Sequence, residues 1–257
     1  MNFCVCVPCF FPKARPAEAI RAVAACGYRY AEFWRVPDAD VSEIRKAADG
    51  EGVTVLSLCT DDFVMNDPAH TRNWLDALKR SCEKARALGA RKMVTQVGQD
   101  TGMPRETQLA AIRSALAGAK PVLREAGIEL MLEPLNTKYD HPGYFLDTAS
   151  EGARLVREAD DPAVRLILDF YHQQASGGDL INAFLQNKDV IAHVHIAGNP
   201  GRHEPWLGET DYKNVFRRMG EAGFSGAVGL EYMPLMRPEE SLCAFLSVYG
   251  NEGCVQQ

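Results

Sequence analysis

Short apolar runs alternate with longer amphipathic stretches from one end of the chain to the other. The runs have the length and β-branched content of buried strands, and predict strands over residues 3–8, 28–34, 53–59, 92–97, 128–133, 164–169, 190–196 and 227–231. Between them, apolar positions recur at helical spacing and predict helices over 16–26, 41–50, 68–88, 104–126, 149–158, 180–186, 212–222 and 239–247. Pro16 opens the first of these, and Gly27, Gly89, Gly127 and Gly223 stand just past helix ends, where a left-handed cap is needed. Strict alternation implies parallel strands joined by helical crossovers. Eight strand–helix units are the number that closes a (β/α)8 barrel, and 257 residues suit one such α/β domain spanning 1–257. An open doubly wound sheet is the alternative, but no glycine fingerprint follows the first strand. The longest irregular stretches, 134–147 and 197–211, follow the fifth and seventh strands, on the side where a barrel carries its function.

Composition adds little to this picture and removes several function classes. The chain is 46% apolar and 24% charged, with a net charge of −6, which argues against a nucleic-acid partner. No apolar run reaches the length of a membrane helix. The opening MNFCVCVPCFF lacks a basic leader and reads as the first strand rather than a signal peptide. Eight cysteines (Cys4, Cys6, Cys9, Cys26, Cys59, Cys82, Cys243 and Cys254) are spread mostly through apolar runs. They read as small buried hydrophobes of a reducing, cytoplasmic setting. Cys6 and Cys9 form a C-x-x-C with no second pair to complete a zinc site.

The chemistry sits at the ends of the last four strands. ELMLEP ends with Glu133, LILDFYH with Asp169, HVHIAG with His195 and VGLEYMP with Glu231. In a barrel these ends are neighbours around one mouth. Any one of them, taken singly, reads equally well as a strand-end group in a salt bridge. Three carboxylates and an imidazole converging on one point repel one another unless a cation joins them. An oxygen-rich set with one nitrogen suits Mn²⁺, Mg²⁺ or Co²⁺, with Zn²⁺ also compatible. Glu133 and Glu231 flank the site from opposite sides, as a pair of acid–base groups acting on a carbon next to a carbonyl would.

Other residues are candidates for substrate contact. His172, three residues after Asp169, is expected in a loop as a hydrogen-bond donor to a substrate oxygen. Arg202, on the long loop after His195, suits a substrate carboxylate, or alternatively a salt bridge with Glu204 or Glu209. Glu204 is grouped with Arg202 as a substrate contact. Trp34 is expected as an apolar wall and Gln96 as a polar contact. His193 is expected to face away from His195 and to pack under the helices. His70 reads as solvated, and His141 and His203 as loop residues without an assigned role.

The segments GIELMLEPLNTKYDHPGYFL, LILDFYHQQ, HVHIAGNPGRHEPWLGETDY and VGLEYMP together resemble the hydroxypyruvate isomerase family, a branch of the xylose isomerase-like TIM barrels that also hold the ketose 3-epimerases. The resemblance is specific from about residue 128 to 234, with RHEP followed by GE its most distinctive part; over 1–97 it is a likeness of fold only. It implies a metal-dependent isomerase of a sugar or keto acid. It places acid–base glutamates at Glu133 and Glu231, metal ligands at Glu133, Asp169, His195 and Glu231, and substrate contacts at His172 and Arg202. It also implies association into homo-oligomers. His195 stands where some members carry Gln, and is more like the epimerases. The first strand, FCVCVPCFF, lacks the polar residues of the family's SANLSMLF, and CTDDFVMND departs from the pattern after the third strand. Both departures bear on which substrate fits. The expected reaction interconverts hydroxypyruvate and tartronate semialdehyde through a cis-enediolate. Alternatives are a ketose 3-epimerase, a non-catalytic sugar-binding barrel and, disfavoured by charge and histidine count, an abasic-site endonuclease.

Overall fold

A computed structural model describes residues 1–250. Eight parallel strands, β1 (Asn2–Cys6), β2 (Tyr30–Phe33), β3 (Thr54–Cys59), β4 (Lys92–Thr95), β5 (Glu129–Leu132), β6 (Val164–Asp169), β7 (Ile191–Ile196) and β8 (Ala227–Leu230), pair in chain order. β1 also pairs with β8, in register from Asn2 with Ala227 to Val5 with Leu230, and closes the barrel. The helices are α1 (Val7–Phe10), α2 (Pro16–Ala25), α3 (Val41–Glu51), α4 (Thr71–Leu88), α5 (Arg105–Ala126), α6 (Ala149–Ala159), α7 (Phe170–Ser176), α8 (Leu180–Asn187), α9 (Tyr212–Glu221) and α10 (Pro238–Tyr249). The single (β/α)8 barrel is the architecture the alternation predicts.

The main core lies between the barrel wall and the ring of helices. In α4, Trp74, Ala77, Leu78, Cys82, Ala85 and Leu88 are buried, and their spacing of three and four residues makes one face. A smaller apolar layer of Cys59, Val94, Met131, Ile167 and Ala192 fills the barrel interior. Six cysteines are buried free thiols and Cys243 is an exposed one; Cys254 lies outside the described residues. No helix among the described residues is long and apolar enough to cross a membrane.

Two departures from the sequence pattern matter for the site. β1 stops at Cys6, and Pro8 belongs to α1, because proline suits the first turn of a helix. The segment after β6 is a helix rather than a loop: the Asp169 carboxylate caps α7 by accepting the Tyr171 and His172 amides at 2.7 and 3.3 Å. Strand alternation also corrects the expectation for His193. Residues two apart on a strand share a face. His193 therefore points into the barrel with His195, and the two rings lie 5.1 Å apart at nearly a right angle.

Candidate active site

Alternation also aims the strand-end residues. Met131 fills the barrel interior, so Glu133, two residues on, points the same way; Ile167 and Asp169 repeat this on β6. The result is one buried cluster. One ligand atom from each of Glu133, Asp169, His195 and Glu231 lies within 4.8 Å of the others. His195 Nδ1 is 3.2 Å from Glu133 Oε1 and 3.3 Å from Glu231 Oε2. Glu133, His195 and Glu231 of this cluster line a cavity of about 730 Å³, whose wall also includes Trp34, Gln96, His172 and Arg202. A smaller cavity of about 460 Å³ near Lys92, Arg165 and Gly226 holds none of these residues.

Each glutamate is gripped on its second oxygen. The Trp34 indole N–H donates to Glu231 Oε1 at 2.6 Å, and the Gln96 amide donates to Glu133 Oε2 at 2.8 Å. Arg202 reaches Glu231 Oε2 at 2.5 Å and stands 3.9 Å from Asp169 Oδ2, with its guanidinium 5.4 Å from the centre of the Tyr171 ring. Burial pushes the Glu231 carboxyl up, but Arg202 and His195 outweigh it and hold it well below the usual carboxylate range. Burial, opposed by Arg202 and aided by Glu231, pushes Asp169 up to about 7. Burial lowers His195, yet Glu231 and Glu32 lift it well above the usual imidazole value.

His172 has a defined tautomer. Asn136 Oδ1 accepts the Tyr139 and Asp140 amides, so its Nδ2 is the donor that meets His172 Nδ1 at 2.7 Å. His172 Nε2 then carries the proton, is buried without a hydrogen-bond partner, and stands 3.5 Å from Asp169 Oδ2. Burial and then Arg202 keep this imidazole well below its usual value, hence neutral.

The residues present fit a divalent cation. Asp169 Oδ1 is used by the α7 amides, whereas Oδ2 is buried with no donor and faces the cluster. A desolvated carboxylate oxygen among two further carboxylates and an imidazole calls for a cation. The donor set, three carboxylates and one imidazole, is of the hard, oxygen-rich kind.

A family model described as a xylose isomerase-like TIM barrel matches residues 20–246. The chain belongs to the xylose isomerase-like TIM barrel family. Within it, the chain is 30% identical over 228 residues to hydroxypyruvate isomerase of Escherichia coli strain K12, a match covering 85% of this chain and 88% of that one. It is 29% identical to the 2-oxo-tetronate isomerase of Cupriavidus necator, covering 84% and 86%. Among solved structures, it superposes on one described as an AP endonuclease, family 2, from Brucella melitensis, with a TM-score of 0.91 and 28% identity over 96% of this chain and 98% of that one. These relationships make this member of the family an isomerase.

The remaining candidates separate. Trp34, Gln96, His172 and Arg202 all border the cavity with the cluster. Glu204 does not. It is fully buried beneath the loop after β8, where it accepts the Leu235 and Met236 amides and the Ser241 hydroxyl. His70 is tied to Asp62 at 2.7 Å, and His203 to the Met233 carbonyl. Sequence reasoning passed over Arg35, Phe63, His141 and Tyr144, which also line the cavity. Arg35, held 4.9 Å from the centre of the Phe63 ring, directly follows Trp34, and only that adjacency pointed to it.

Proposed function

We propose that this chain is a divalent-metal-dependent isomerase of a small keto acid, interconverting hydroxypyruvate and tartronate semialdehyde through a cis-enediolate. The observation that carries this reading is the pair Glu133 and Glu231. They reach one cavity from opposite sides of Asp169 and His195, each with one oxygen fixed by Trp34 or Gln96 and the other beside His195, where that of Glu231 also accepts from Arg202. One glutamate takes a proton from C3 of hydroxypyruvate; the other returns a proton to C2. The C3 hydroxyl proton passes to the C2 oxygen, so atoms and charge balance, and exchange with solvent resets the pair. His172 Nε2–H donates to a substrate oxygen, and Arg202 holds the carboxylate. Glu133, Asp169, His195 and Glu231 would hold Mn²⁺, Mg²⁺, Co²⁺ or Zn²⁺. When bound, such an ion supplies positive charge beside the developing enediolate. A cytoplasmic setting and a homo-oligomeric state go with this reading.

The test is turnover of hydroxypyruvate by the Mn²⁺-loaded protein in D₂O. Loss of the ketone with deuterium entering C2 of the product supports the reading; no exchange at any carbon overturns it.

One observation favours a second reading. Arg202 is already engaged by Glu231 and Asp169, so its charge is not reserved for a substrate carboxylate. That suits a neutral ketose epimerised at C3 by the same glutamates. A hexulose exchanging its C3 proton faster than hydroxypyruvate exchanges any proton decides for the epimerase.

A further inference from the structure

Below the four strand-end residues lies a second buried group: Glu32, Ser57, His193 and His195. Glu32 is 3% exposed, inside the barrel, where a carboxylate is costly unless it is hydrogen-bonded. Its Oε2 accepts the Ser57 hydroxyl at 3.0 Å and His193 Nε2 at 3.0 Å. Its Oε1 lies 3.1 Å from His195 Nε2. That approach is short but out of line for a hydrogen bond, and neither atom has another partner. The opposite ring nitrogen of His195, Nδ1, faces Glu133 and Glu231.

The backbone makes room for this arrangement. The β2–β3 register shifts between Ala31 and Glu32, with the extra residue, Leu56, on β3, which brings Ser57 opposite Glu32. Beside His195, on the neighbouring strand β8, stands Gly229. A Cβ there would meet Glu32 Oε1 at 2.3 Å, His195 Cδ2 at 2.5 Å and His193 Nε2 at 3.0 Å. The missing side chain on β8 is therefore the space that Glu32 and the two imidazoles occupy.

A ring nitrogen that ligates a metal carries no proton. With Nδ1 turned to the carboxylates, the one proton of His195 belongs on Nε2, and its acceptor in reach is Glu32 Oε1. We propose that Glu32 is the positioning residue of the metal site: it holds His195 in the Nε2–H tautomer with Nδ1 aimed at the cation, itself fixed by His193 and Ser57. This rests on the metal reading of the cluster given above, and is independent of which substrate is used. Carboxylates behind ligating histidines commonly set metal affinity by about 10–100-fold.

The test is Mn²⁺ and Co²⁺ affinity by titration calorimetry, for the wild type, Glu32→Gln and Ser57→Ala. The amide of Glu32→Gln has one oxygen where the carboxylate has two, so it cannot accept from all three donors. The expected result is affinity lower by about tenfold or more for Glu32→Gln, with a changed d–d spectrum of bound Co²⁺, and within about threefold of wild type for Ser57→Ala. Equal affinity for Glu32→Gln and wild type overturns the role of Glu32. So does an equal loss for Ser57→Ala, because that variant disturbs the same layer without removing the carboxylate. A wild type that binds neither ion overturns the metal reading and the role of Glu32 with it. A second measurement needs no variant. Long-range ¹⁵N–¹H spectra of the Zn²⁺-loaded wild type should place the His195 proton on Nε2; a proton on Nδ1 overturns the proposal.

Discussion

Strands β1–β4 and β5–β8 end at the same mouth but bring it different things. From the second half come Glu133, Asp169, His195 and Glu231, with His172 and Arg202 just beyond their strands. From the first half come Trp34, Cys59, Phe63, Val64 and Gln96, with Arg35 the only charged side chain it adds to the cavity wall among the described residues. Among the hydrogen bonds that join the two halves, Trp34 to Glu231 and Gln96 to Glu133 reach the paired glutamates. The four candidate metal ligands thus stand on one side, and Trp34 and Gln96, which orient the two glutamates, stand on the other. Chemistry and its alignment are divided between halves of one sheet, and each can be attacked separately.

The largest effect should come from the second half. Glu133→Gln and Glu231→Gln keep the shape of the side chain and remove the base. Each should lower turnover by about 10³-fold or more while the circular dichroism spectrum and cooperative melting persist. A variant that keeps wild-type rates would refute the two-base mechanism. Removing the cation should act nearly as strongly. Protein dialysed against a chelator should lose turnover and regain it with added Mn²⁺; full activity after verified metal removal would dissolve the cluster's assigned role.

A smaller loss is expected from the first half. Trp34→Phe and Gln96→Leu each delete one hydrogen bond to a carboxylate, a contact worth about 1.5–3 kcal/mol, or about 10–100-fold. The fall should appear in kcat, since the donors touch the glutamates. If these variants instead raised KM alone, the first half would be a substrate wall rather than an aligning element.

That division explains what was legible in the sequence. Glu133, Asp169, His195 and Glu231 each interrupt an apolar run at its end, and eight such runs fix how the ends are arranged. Their partners leave no such mark. Trp34 lies 197 residues from Glu231, and Gln96 lies 37 from Glu133, so only closure of the barrel joins them. The seven residues of α7 are too few to show a helical period, and its cap is Asp169 itself. Glu204 stands out in the RHEP motif, but its acceptor role toward the amides at 235 and 236 is set by tertiary contact. The expected orientation of His193 was wrong although the sequence held the answer, because a strand's period of two places it beside His195 rather than opposite.

The smallest effect tests the second half through its protons. In the metal-free protein, burial pushes Asp169 up to about 7, while Glu231 and Glu32, against burial, hold His195 well above its usual value. A cation can use them only after the carboxyl proton and the Nδ1 proton have left. At pH above 7, Asp169 is already ionised, so the protonated His195 is the main source of a released proton. Below pH 7, Asp169 adds to it. Metal binding should therefore release protons, more near pH 6 than near pH 8, and log affinity should rise with pH, more steeply below 7 than above. Calorimetry in buffers of different ionisation enthalpy measures the released protons directly. Proton uptake, or a slope that is flat across pH 7, would mean that Asp169 and His195 do not bind the cation. The ring of strand-end groups would then be an ion-pair network centred on Arg202, with its two glutamates still aligned by the first half.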